Sequence, residues 1–207
     1  MSSAAPARRP RAPRLSPEAR RASLVEAGIH VVARRGLSGA RPVDVAEEAS
    51  VSEATIYAYF PNREALIDAV LDEVGRHFIA TTRPPFETDL PLPERFANVF
   101  AAISASIEED PDHARVWFDW ASAMRGELGP RFLEAQAGMT VVMADAVRAT
   151  PKKDRAGLEM HAEDVAHLVL AAGEMMARMQ ISGRSPREVQ RFVRATLRAL
   201  FPRRELA

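Results

Sequence analysis

The stretch "VSEATIYAYFPNREAL", residues 51–66, sets two tyrosines one residue apart beside two alanines and a threonine, with a new helix start immediately behind. At about 100° per residue, Ile56 and Phe60 lie one above the other on a helix over 52–60, which makes theirs the core side. Ala54, Thr55 and Ala58 then point away, flanked by Tyr57 and Tyr59. A solvated helix face ordinarily carries Lys, Glu or Gln. This one is small, methyl-rich and uncharged, so it suits close approach to something flat and wide. In a DNA major groove, Ala and Thr methyls meet thymine methyls, and Thr can hydrogen-bond a base edge. Tyr hydroxyls and the amides at the start of the helix reach phosphates. A core helix packing small residues against a neighbour is the competing reading of the same face.

Working outward, Pro42 begins a short helix over Val43–Ala49, Ser50-Val51 makes a tight break, and Ser52 caps the helix just described. Two short helices joined by so brief a turn are a helix-turn-helix arrangement. Asn62 caps the next helix, which carries Leu66, Ala69, Val70 and Val74 along one face. Upstream, Ser16-Pro17-Glu18 reads as N-cap, first-turn proline and first-turn acid of a helix running to Gly36, with Leu24, Ala27, Val31 and Val32 inward. Residues 1–14 interleave Pro6, Pro10 and Pro13 with arginine and are expected to be extended and mobile when unbound.

Beyond residue 80 the scale changes. "TTRPPFETDLPLP" is a proline-rich connection, and longer helices are expected over 93–109, 112–125, 130–149, 161–182 and 186–201. Ser185-Pro186-Arg187-Glu188 has the form of a capping box, and "TPKKDRAGLE" reads as a flexible loop. The expected fold class is all-α, with a three-helix N-terminal unit on a larger helical body. The expected divisions are a basic arm at 1–15, the helix-turn-helix unit at 16–62, a connecting helix at 63–80 and the body at 81–207.

With 207 residues, 47% of them hydrophobic and 27% charged, the chain can bury a substantial core and remain soluble. It has no cysteine, which excludes disulfides and thiolate chemistry. No apolar run approaches the length of a membrane span or the core of a signal peptide, so a cytoplasmic location without membrane contact is expected. The formal net charge of zero hides an asymmetry. Residues 1–65 hold ten basic groups against seven acids, and the first 21 hold six arginines against Glu18 alone. A basic end on a mildly acidic body has the form of a nucleic-acid footprint; a solvated tail has the same charge. There is no Gly-rich phosphate loop and no nucleophile motif, so neither a cofactor nor an enzyme is expected. His161, Asp164 and His167 recur on one helix, but no further ligand suggests a metal; His30, His77 and His113 stand isolated.

The segment "PVDVAEEASVSEATIYAYFPNREALIDAVL" resembles the DNA-binding domain of the TetR family of transcriptional regulators, and the likeness covers residues 16–80. Together with "RPRAPRLSPEARR", "ARRG" and "VWFDWASAMRGELGPRF", it resembles the quorum-sensing master-regulator branch of that family. The resemblance implies a homodimer reading a near-palindromic double-stranded operator. It places the DNA contacts on Ser52, Ala54, Thr55, Tyr57, Ala58 and Tyr59, a phosphate contact on Arg63, and a minor-groove arm on Arg9, Arg11 and Arg14. Two departures bear on the operator sequence: Ala58 stands where the branch carries Asn, and Glu53 puts an acid at the start of the helix.

The body carries two apolar stripes, Val165, Leu168, Val169, Ala172, Met175, Met176 and Met179, then Val189, Phe192, Val193, Thr196, Leu197 and Leu200. By resemblance these helices pair across two subunits in a four-helix bundle; the alternative is burial within one subunit. Phe78, Trp117, Phe118, Trp120 and Met139 form an aromatic-rich group that reads equally as core. The resemblance makes it the wall of an apolar ligand pocket, with Gln136 as its polar contact. Alternative functions are a ligand-responsive repressor of an efflux or catabolic operon, or a helical protein-interaction module whose basic tail meets an acidic partner or a membrane surface.

Overall fold

Helix α1, Pro17–Gly39, opens where the sequence places it: Ser16 Oγ accepts from the Ala19 amide at 3.1 Å and Pro17 occupies the first turn. It belongs to a computed structural model that describes residues 15–202 except 124, 125 and 156. The expected end of α1 at Gly36 appears as a kink, with φ +75° at that glycine and one further turn beyond it. Helix α2, Pro42–Glu48, lies across α1. Its buried Asp44 accepts from the Arg41 amide at 3.1 Å and pairs with Arg35, also at 3.1 Å.

Ser50 makes the turn out of α2 at φ +53°, a left-handed backbone on a residue with a side chain. Helix α3, Glu53–Tyr59, follows, and α4, Arg63–Thr82, starts from Asn62, whose Oδ1 accepts from the Ala65 amide at 2.8 Å. Leu24, Val32, Val45, Ile56, Phe60, Leu66 and Val70 are buried among α1–α4, at the head end of one core that continues into the body. Gly28 permits the approach of α1 to α4, because a Cβ there would sit 2.7 Å from Val70 Cγ2.

Helices α5, Leu92–Glu109, α6, Asp112–Ser122, α7, Leu128–Ala149, α8, Ala162–Ile181, and α9, Pro186–Leu200, make the body. Helix α6 is shorter than expected because Ala123 leaves helical geometry; the last two residues of the expected span lie outside the described ones. Helix α7 begins two residues early and takes Pro130 into its first turn, where a missing N–H costs little. Both expected loops hold a 3-10 turn, Pro84–Glu87 and Lys152–Asp154. In the first, Phe86 stands edge-on to Phe96 at 5.2 Å. The predicted capping box forms on α9: Ser185 Oγ accepts from the Glu188 amide and Glu188 accepts from the Ser185 amide. Among the described residues there is no strand, and no helix is long and apolar enough to cross a membrane.

Candidate functional site

The exposed face of α3 is the one its sequence implies: Ala54, Tyr57 and Ala58 are open to solvent, Tyr57 at 46% exposure, while Ile56 is fully buried. Ser52 and Thr55 are tied together at the start of the helix. Their hydroxyls lie 2.9 Å apart, and Ser52 Oγ also accepts from the Thr55 amide at 3.2 Å. These hydroxyls organise the cap before any partner arrives. Tyr59 differs from expectation. It is half-buried and packs against the core, so only Tyr57 edges the open face fully.

Arg63 differs more. Its guanidinium donates to the carbonyls of Leu37 and, at 2.8 Å, of Ala40, which fixes the end of α1 to the start of α4. The side chain expected to clamp phosphate is therefore engaged in joining two helices. Arg9, Arg11 and Arg14 lie outside the described residues.

Helix α6 connects this head to the body, since α1 packs along it. Asp119 Oδ2 accepts from the Leu37 amide at 2.5 Å, just past the kink at Gly36. At the other end of α6, Asp112 lies 2.9 Å from His30 Nδ1 and 2.7 Å from Arg115. The hydrogen bond to Asp112 pushes the His30 imidazole above its ordinary pKa against an opposing effect of burial. Burial raises Asp112, but His30 and Arg115 pull it below the usual carboxylate value. A second tie runs from α7, where Arg131 pairs with Asp68 and, at 2.6 Å, with Asp72 on α4.

None of the three histidines that look isolated in the sequence is alone. His77 stacks on His113 with ring centres 4.0 Å apart, and His113 meets Asp110 at 3.1 Å. Burial, then the neighbouring His113, pushes His77 down. Asp110 and Asp112 come near His30 in a cluster of metal-ligand type. Asp110 also accepts from the Asp112 amide at 2.9 Å and Asp112 already holds Arg115, so capping and ion pairing account for both. His161, Asp164 and His167 are all exposed on α8 or at its cap.

Between α4, α5, α6, α7 and α8 lies a narrow apolar cavity of about 30 Å³, bounded by Phe78, Trp117, Phe118 and Met139 among others. Four of the six residues expected at a pocket therefore line it. Trp120 does not: it is buried, and its indole N–H donates to the Leu128 carbonyl at 3.0 Å, anchoring the start of α7. Gln136 meets the cavity indirectly, through its amide on Glu174 at 3.3 Å. Glu174 went unnoticed in the sequence, where it is one of several charged residues on α8.

The expected interface stripes divide. Val165, Val169, Met176, Leu197 and Leu200 are buried within this one chain. Leu168 and Met175 are 47% and 50% exposed on α8, and Ala172, Phe192, Val193 and Thr196 are half-buried. The unpartnered face is thus narrower than the full apolar pattern, which is shared between the core and the outside.

A short, partly buried helix, a tight turn and an exposed uncharged helix, carried on a larger helical body, define a helix-turn-helix architecture. Residues 24–70 match the family model of bacterial regulatory proteins of the tetR family. The HTH-type transcriptional regulator LuxR of Vibrio harveyi is 39% identical over 127 residues, covering 61% of this chain and 62% of that protein. The match thus spans less than two thirds of that relative's length. Among solved structures, the regulator FadR of Bacillus subtilis in complex with stearoyl-CoA superposes with a TM-score of 0.74 at 16% identity, covering 89% of this chain and 99% of that one. A TetR-like transcriptional regulator from Rhodococcus sp. RHA1 superposes with a TM-score of 0.71 at 19% identity, covering 90% and 98%. Residues 24–70 thus match the tetR-family DNA-binding domain, and the fold of the whole chain is that of the two solved structures. The family model and the matched relative are those of transcriptional regulators.

Proposed function

We propose that this protein is a homodimeric transcriptional regulator that reads a near-palindromic operator with α3 in the major groove. The open Ala54–Tyr57–Ala58 face carries the proposal, being uncharged where an ordinary surface helix is charged. Ser52 and Thr55 stand at its leading edge for base or phosphate contact, and the arginines of residues 1–14 supply a minor-groove arm. The exposed Leu168 and Met175 supply the core of the contact between subunits. Residues 16–62 act as the DNA-binding unit, 63–80 as its connection and 81–207 as the regulatory and dimerisation unit. We assign the protein to the quorum-sensing master-regulator branch that its sequence resembles, supported by the identity to LuxR.

The cavity beside Trp117 is the regulatory site, and α6 is the link to the head. One side of this helix bounds the cavity through Ala114, Trp117 and Phe118, and another side holds α1 through Asp112 and Asp119. A ligand that prefers one setting of α6 therefore biases the setting of the head. The test is selection of bound sequences from a random duplex pool, with affinities of the winners at two salt concentrations. Near-palindromic winners with steep salt dependence are expected. A pool that shows no enrichment refutes operator reading.

A further inference from the structure

The cavity bounded by Phe78, Trp117, Phe118, Met139 and Met143 has almost no polar surface. Of its polar lining groups, the Thr82 hydroxyl donates to the Phe78 carbonyl at 2.8 Å and is satisfied there. Glu174 is the one charged residue in the lining. Its Oε1 accepts from Trp117 Nε1 at 3.1 Å and from Gln136 Nε2 at 3.3 Å. Both donors fall on the same oxygen; Oε2 has no protein donor among the described residues and stays open to solvent. The nearby cation, Arg178, makes no ion pair with Glu174; its guanidinium lies 4.1 Å from the Phe118 ring centre, and the residue is exposed. The cavity thus offers an apolar wall, an oriented acceptor and no cation.

Resting on the reading of this cavity as the regulatory site, we infer that it selects a ligand with an apolar body and a cationic, hydrogen-bond-donating head, such as a primary alkylammonium, held by Glu174. A fatty carboxylate would set its charge against that of Glu174. An apolar body displaces little water from walls of Phe, Trp and Met, whereas the head gives Oε2 a charged donor in place of water. At about 30 Å³ the cavity holds roughly a water molecule, so entry of an alkyl chain requires α7 and α8 to part around the flexible Met139 and Met143. That movement would alter the Trp117–Glu174 hydrogen bond, which makes tryptophan fluorescence a direct reporter.

The experiment titrates the full-length protein with octylamine, octanol and octanoate below their aggregation concentrations, following tryptophan emission and thermal unfolding. Octylamine is expected to bind about tenfold or more tightly than octanoate, the scale of a partly desolvated ion pair, with octanol between them. In Glu174→Gln, an isosteric change that keeps an acceptor for Trp117, octanol binding should persist while the preference for the amine disappears. Equal binding of amine and carboxylate by the wild type, or an unchanged preference in Glu174→Gln, overturns the inference and leaves the cavity standing. Failure of all three to bind overturns both the cavity reading and the inference. An unaltered melting temperature for Glu174→Gln without ligand shows that the variant is folded.

Discussion

Replacing Asp119 with alanine should loosen the head from the body without touching α3. Asp119 Oδ2 is the acceptor for the Leu37 amide at 2.5 Å, on a residue that is only 7% exposed. Leaving an amide without its acceptor costs about 1–3 kcal/mol unless water reaches the site. Asp119 is half-exposed, so the lower part of that range, about 1–2 kcal/mol, is the appropriate expectation. For a chain of this size each kcal/mol shifts the melting temperature by about 2–4 °C, giving a fall of about 2–8 °C for Asp119→Ala. Asp119→Asn retains an oxygen acceptor and should lose less than half as much. The assay is thermal unfolding of the three proteins side by side, with operator affinity by fluorescence polarisation. Asp119 makes no hydrogen bond to α3 among the described residues, so a change in affinity must act through the placement of the head. An Asp119→Ala melting temperature within about 1 °C of wild type would refute the view that this bond holds the joint.

Four further outcomes are expected. Ala58→Glu puts a carboxylate on the open face and should reduce operator affinity at least about tenfold while leaving the melting temperature unchanged; retained affinity would remove α3 from the interface. Ser50→Gly relieves a left-handed backbone costing about 1–2 kcal/mol against an entropic loss of about 0.5–1, so calorimetry should show a small gain in stability. The Leu168→Glu, Met175→Glu double variant should sediment as a folded monomer, since both side chains are open in the isolated chain; an unchanged dimer would place the interface elsewhere. His30 is held above about 6.5, so its pairing with Asp112 stabilises fully below that pH and fades as pH rises through the raised value. His30→Gln should therefore flatten the decline in stability between about pH 6 and 8, and an unaltered pH slope counts against the pair.

The head was legible because its signals are local. Ser16, Ser52 and Asn62 cap the helices they precede, and Ile56 and Phe60 are buried as the helical period requires. Legibility fails where a side chain answers to a distant one. Arg63 looks like a surface cation but reaches the carbonyls of Leu37 and Ala40; Trp120 looks like its neighbour Trp117 but is held by the Leu128 carbonyl. The stripe on α8 and α9 could not be divided from periodicity, because a helix packed on two sides shows one broad apolar pattern. Glu174 and the His30–Asp112 pair depend on contacts between residues 38 to 82 positions apart, for which a single sequence carries no local mark.

The 20 residues of α4 extend for about 30 Å, from Arg63 just after α3 to Thr82 at the cavity. Under the proposed function, the separation of two reading helices is set partly by the tilt of this rod. A change in operator spacing could then be matched by one substitution near Phe78, far from any base pair. Spacing preference and base preference would be inherited on different parts of the chain, free to diverge separately, so swapping α3 alone between relatives would transplant the letters of an operator but leave its spacing behind.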